Sequence, residues 1–201
     1  MATLISRYAD FVKNIDRARE LVGLGQSLTG LTVGTVDPTD MYRAALVQSV
    51  AALDSYAHDV VLDRAVDILL GRLAAGSATR LGLHFGAVRE LLAAPTPTDL
   101  EMICRQKINE RLSTETFQKP DDVAGAFAMV GVPAIWSSAF GTSAGTTKTS
   151  LSLVVQRRNR IVHRCDVDPS DPSSFLALTA EDAIQAIETV RSIVSGINGL
   201  L

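Results

Sequence analysis

With 201 residues, 47% of them hydrophobic and 20% charged, the chain is long enough to bury one sizeable core and is expected to form one domain. Aromatics make up only 5%, so that core must be built mostly from Ala, Leu, Val and Ile. The formal charge of -3 excludes a global basic field, so any role with nucleic acid has to rest on a local patch of cations. Cys104 and Cys165 stand in no metal-ligand spacing and are too few for a disulfide framework, which makes free thiols in a reducing compartment the expectation. The first twenty residues are charged throughout and do not read as a signal peptide. Nor does any uninterrupted apolar run approach the roughly 18 residues of a spanning helix. A cytoplasmic protein without a membrane anchor is therefore expected.

Along the chain, Leu4, Ile5, Tyr8, Phe11, Val12 and Ile15 have helical spacing and predict a helix over residues 2–24. The Gly/Thr-rich stretch 23–36 reads as a loop or a short strand. Asp37-Pro38-Thr39-Asp40 is a helix-entry signal, and the longest helical pattern follows, from Thr39 to about residue 75. Leu46, Val50, Leu53, Ala57, Val60 and Val61 share one of its faces, with Gly76 as the stop. Residues 78–93 read as another helix, ended before Pro95 and Pro97, and His84 within it reads as structural. Thr98-Asp99-Leu100-Glu101 opens a helix that continues to about Phe117. Lys119-Pro120-Asp121-Asp122 opens a short one. Residues 133–136 and the small-residue run 141–147 read as a connection. A helix over residues 147–164 and a last one from Thr179 to about Ile197, with acidic residues in its first turn, complete the pattern. The expectation is all-α: five to seven helices in one bundle-like domain, with its core at about residues 40–197.

The helix at 147–164 breaks its own pattern. At about 100° per residue, Leu151, Val154, Val155, Ile161, Val162 and Cys165 form an apolar stripe, and Arg158 falls at its centre. An arginine on a core-facing line is costly and cannot shed its charge. It needs either a buried carboxylate or a cleft where anions arrive; snorkelling or a structural ion pair is the plainer alternative. Asn159 and His163, four apart, are neighbours on the stripe's flank, where an amide can orient an imidazole. Arg157, Arg160 and Arg164 are placed on the outward side, a basic patch suited to phosphate, although a helix C-terminus also favours cations for its dipole alone.

Arg158-Asn159-x-x-x-His163 is similar to the R-polar-x(3)-H motif of the HEPN superfamily of α-helical ribonucleases. The text RNRIVHR resembles the version in RiboL-PSP-type HEPN proteins. A second stretch, Ala51-Ala52-Leu53-Asp54-Ser55-Tyr56-Ala57-His58-Asp59, resembles part of that family's long early helix, and Trp136 after a Gly-x-Pro turn fits its layout. The resemblance covers about residues 40–195. It implies a HEPN-like bundle with additional helices, and a metal-independent endoribonuclease without cofactor. It further implies a homodimer with a composite site, cleavage by 2′-OH attack to a 2′,3′-cyclic phosphate, and Arg158, Asn159 and His163 as the catalytic set. A toxin or phage-defence role, with an antitoxin or other partner protein, belongs to the same expectation. Arg158 and His163 lie about 140° apart on one helix, and that spacing independently favours a site completed by a second copy.

Asp54 and His58, four apart, have two readings. They belong to the substrate-binding set, with Asp54 holding the Arg158 fork, or they are a helix-surface pair. Tyr56 and Trp136 are either base-stacking platforms or packed aromatics. No metal-site spacing, Walker-type loop or dinucleotide fingerprint is present. Beside RNA cleavage stand two rival readings. One is a non-catalytic HEPN-like module for RNA, nucleotide or assembly; the other is a sensor binding an anionic ligand at Arg158.

Overall fold

The computed structural model describes residues 2–31, 37–75 and 80–201. Among these are eight α-helices: α1 (Ala2–Leu31), α2 (Thr39–Leu69), α3 (Phe85–Leu92), α4 (Pro97–Leu112), α5 (Pro120–Met129), α6 (Ile135–Phe140), α7 (Ala144–Arg164) and α8 (Ala180–Leu200). A single turn of 3-10 helix joins α6 to α7, and the described residues contain no strand, only an isolated bridge between Val167 and Phe175. The protein is all-α.

The organising element is α2, which packs against α1, α4, α5, α7 and α8. Its buried residues are too many for one stripe: Leu46, Val50, Leu53, Ala57 and Val61 face one way, and Ala45, Ala52, Tyr56 and Val60 widen the surface. With Phe11, Ile15, Ile108, Leu112, Phe127, Ile187, Ile193 and Ile197 they form one apolar cluster. Full burial of each Val, Leu, Ile or Phe among them contributes about 1.5–3 kcal/mol.

Local signals explain most boundaries, including those that differ from the sequence reading. The first helix continues past Gly23 to Leu31, where a loop or strand is expected; residues 32–36 and the expected stop at Gly76 lie outside the described residues. Gly25 is a packing position, since a Cβ there would sit 2.7 Å from Cε1 of Tyr42, and α1 approaches α2 closely because it is absent. The second helix stops at Leu69 rather than residue 75 because Gly71 takes φ +70. The Arg72 N–H then bonds the Asp67 carbonyl at 2.8 Å and the Gly71 N–H that of Ile68 at 3.1 Å, the paired closure of a Schellman motif.

Residues 80–84 of the helix expected over 78–93 are not helical, while 78–79 lie outside the described residues; α3 begins only at Phe85, after Gly82 at φ +71, with the His84 ring accepting the Ala87 N–H at 3.1 Å as its cap. The helix α4 starts at Pro97 under a Thr96 cap and ends at Leu112, five residues before Phe117. The expected connection at 133–136 and 141–147 is helical from Ile135 on: α6 starts from a left-handed Ala134 and buries Ile135 and Trp136, and α7 begins three residues earlier than read. The last helix opens on a full capping box, Thr179 with Asp182.

Candidate functional site

The motif occupies the last two turns of α7. That helix enters the core through Leu151 and Val155, one turn apart and both buried. The next positions on the same line are Arg158 and Val162, and Val162 is 47% exposed. The apolar line therefore begins inside the protein and runs out into solvent, and Arg158 stands at the crossing. Of the expected stripe, Val154 and Ile161 are half-buried and Cys165 is exposed.

Beyond Arg164 the chain reverses through two consecutive left-handed residues, Cys165 at φ 49 and Asp166 at φ 58. Each such residue costs about 1–2 kcal/mol when it is not glycine. What offsets the cost is the Asp166 carboxylate, which turns back into the core and is fully buried. Its Oδ2 accepts from Arg157 Nη2 at 2.6 Å and from Arg43 Nε at 3.1 Å. Arg43 also donates to Asp40 at 2.9 Å and to the Leu176 carbonyl at 3.1 Å, and lies over the Phe175 ring at 5.4 Å. Burial opposes the Arg43 charge, but the bonds to Asp166 and Asp40 outweigh it and raise its pKa. Arg157 Nη2 further donates to the carbonyls of Leu176 and Ala177 at 3.2 and 3.0 Å. One buried anion thus ties α2, α7 and the returning segment 165–177 together.

This corrects the placement of Arg157 on the outward patch: it is the inward arginine, and its side chain is only 21% exposed. Sequence reasoning missed both Asp166 and Arg43. The signal was present, because Arg43 lies on a buried line of α2 beside Tyr42 and Ala45. A cation on an apolar line requires an anion, and Asp166 is the first acid after the motif helix.

Arg158, one residue on, has no carboxylate partner among the described residues. Its Nη1 donates to Asn159 Oδ1 at 3.0 Å, and its Nε is buried without an acceptor. The Asn159 oxygen is thereby engaged by the arginine and does not orient His163. His163 is exposed and forms no hydrogen bond to another described residue. Arg160 and Arg164 are exposed beside it, as expected for the outward side. The arrangement offers a half-buried guanidinium, an amide and an accessible imidazole within two helical turns.

Asp54 and His58 belong to a different joint, and Asp54 does not hold the Arg158 fork. Asp54 accepts the Phe117 N–H at 2.6 Å and Gln118 Nε2 at 2.9 Å, which draws the α4–α5 connection onto α2 and explains why α4 stops early. His58 lies 3.4 Å from Asp54 through Nδ1, bonds the Leu112 carbonyl at 3.3 Å through Nε2, and packs its ring on Phe117 at 4.3 Å. The Asp54 bond is the main reason the His58 pKa is raised. Burial would raise the Asp54 carboxyl, but bonds from His58, Gln118 and the Phe117 N–H outweigh it and hold it below the usual range. The two aromatics are likewise packed. Tyr56 donates to Asn198 Oδ1 at 3.1 Å, and the Trp136 indole N–H to the Pro120 carbonyl at 2.8 Å.

Among the described residues no group of three or more His, Cys, Asp or Glu side chains is arranged to hold a metal ion. No helix among them is long and apolar enough to cross a membrane. No protein-family model matches the chain, and no significant match occurs among curated proteins or solved structures.

Proposed function

We propose that the protein is a metal-independent endoribonuclease of the HEPN type, working as a homodimer through Arg158, Asn159 and His163. The observation that carries this reading is the division of labour between two adjacent arginines. Of the two ways to accommodate a cation at the edge of a core, the buried carboxylate has gone to Arg157. Both arginines bury an unsatisfied Nε, but Arg158 has only a bond to a neutral amide and no described carboxylate, which is the condition of a cation that receives an anion from outside. A phosphodiester is an anion with oxygens spaced for its fork.

The chemistry assigned to the set is an in-line displacement within RNA. The ribose 2′-oxygen attacks the adjacent phosphorus while the accessible His163 imidazole takes the 2′-OH proton. The P–O5′ bond breaks, and an imidazole from a second copy returns a proton to the leaving 5′-oxygen, leaving a 2′,3′-cyclic phosphate and a 5′-OH. Arg158 offsets the charge that grows on the non-bridging oxygens. The helix spacing supports a second copy, because Arg158 and His163 are about 140° apart and do not share one face. A toxin or defence role, with an antitoxin or other partner, is the biological setting this reading suggests.

A non-catalytic module is the second reading, and the Arg158–Asn159 bond favours it, since the motif's polar groups partly satisfy one another. One assay separates the two. Wild-type protein incubated with single-stranded RNA in EDTA is expected to leave 2′,3′-cyclic phosphate ends. His163→Ala is expected to abolish cleavage with an unchanged helical circular dichroism spectrum. Intact RNA with the wild type, or cleavage that survives in His163→Ala, overturns the ribonuclease reading.

A further inference from the structure

Asn159 faces more than Arg158. Its side chain lines an open groove of about 580 Å³ between the start of α5 and the flank of α7. That volume is within the roughly 300–1,000 Å³ of ligand pockets. The α7 side of the groove runs from Gly145 to Asn159, about 21 Å along the helix axis, so it suits an extended chain rather than a single small anion. Its chemistry changes along that length. Lys148 makes the far end cationic and Lys119 adds a cation on the α5 side, although the exposed Asp121 carboxylate lies 3.7 Å from the Lys148 ammonium. Leu153, 62% exposed, offers an apolar surface in the middle. Gln156 and Asn159 bring neutral amides to the end that adjoins Arg158.

Spaced cations match backbone phosphates, which position a nucleic acid, and side-chain amides match the edges of unpaired bases, which specify it. An exposed leucine accepts the face of a base. We propose that this groove is the track for the single-stranded RNA leading away from the scissile phosphate, with Lys119 and Lys148 on backbone phosphates and Gln156 on the base nearest the cut. The inference rests on the ribonuclease reading and adds to it where the strand runs.

Asp121 has the wrong sign for such a track, which supplies a test of opposite sense. The measurement uses full-length protein carrying His163→Ala, so that RNA is not consumed, and follows the anisotropy of a fluorescein-labelled single-stranded RNA over a range of salt. Lys119→Ala with Lys148→Ala is expected to weaken binding about tenfold and to lower the salt slope by about 1.4, at ~0.7 per single-strand phosphate contact. Asp121→Asn is expected to tighten binding several-fold. A purely structural role for these exposed side chains predicts neither shift, and unchanged melting temperatures exclude unfolding as the cause.

If RNA binds and the lysine variant keeps the parent's affinity and slope, or Asp121→Asn fails to tighten binding, the groove assignment is wrong while the ribonuclease reading is untouched. No binding at all, alongside cleavage by the wild type, sinks the track in the same way. If the wild type cleaves nothing yet both shifts occur in the stated directions, the groove stands and the nuclease reading falls.

Discussion

Arg157 gives Nη2 to a buried carboxylate and two carbonyls, whereas Arg158 gives Nη1 to a neutral amide alone; each buries an Nε without an acceptor. The two side chains are identical and differ by about 100° of helix rotation. What separates them is the counter-charge: the returning chain delivers Asp166 to Arg157, and no carboxylate among the described residues pairs with Arg158. The same contrast recurs in two histidines, each with a polar neighbour four residues before it. His58 is held by Asp54, the Leu112 carbonyl and Phe117, while His163 is exposed and unbonded. A committed residue and an uncommitted one of the same type, in the same fold, show which of them the fold itself requires.

That contrast breaks most easily at Asp166. Asp166→Ala leaves Arg43 and Arg157, whose side chains are 10% and 21% exposed, without their shared anion. The expected loss is about 3–5 kcal/mol in urea unfolding, because an uncompensated buried charge costs far more than the pair contributes. A loss below about 1 kcal/mol would mean that Arg157 is no more committed than Arg158. Asp54→Ala comes next, at about 1–3 kcal/mol, since it strands the Phe117 N–H and frees the α4–α5 connection. His163→Ala, by comparison, is expected to stay within about 0.5 kcal/mol of wild type. Equal effects from the two substitutions would erase the distinction between the histidine sites.

The smallest effect is in the pH dependence. The His58 pKa is raised above its unfolded value, so its contribution to stability is complete below about pH 6.5 and is lost as pH rises through the folded value. Asp54, held below its usual range, contributes above about pH 4 and loses that contribution as pH falls through its folded value. His58→Gln is therefore expected to flatten the decline in stability as pH rises above about 6.5, measured by urea unfolding across pH. An unflattened decline would remove His58 from the committed group.

Much of this was legible in the chain. The all-α class, the entry at Asp37-Pro38, the last helix at Thr179 and the anomaly at Arg158 all follow from spacing and capping chemistry, which act over a few residues. What was not legible depends on contacts distant in sequence. Phe117 is drawn out of a helical pattern by Asp54, 63 residues earlier. Residues 135–140 become helical because Trp136 finds the Pro120 carbonyl and Phe140 the space above Gly196. Arg157 turns inward because Asp166 is waiting there, and helical periodicity alone places it outside. A wheel drawn for one helix cannot register an anion supplied by the segment that follows it.

The position of Trp136 has an optical consequence. It is the chain's single tryptophan, 6% exposed, and its indole donates to the backbone oxygen of Pro120, a residue that itself lines the groove beside α7. The protein thus carries one intrinsic fluorophore directly behind the groove wall, with no second indole to dilute its emission. Its spectrum reports on that wall in unlabelled protein, and every variant that leaves Trp136 in place carries the same reporter.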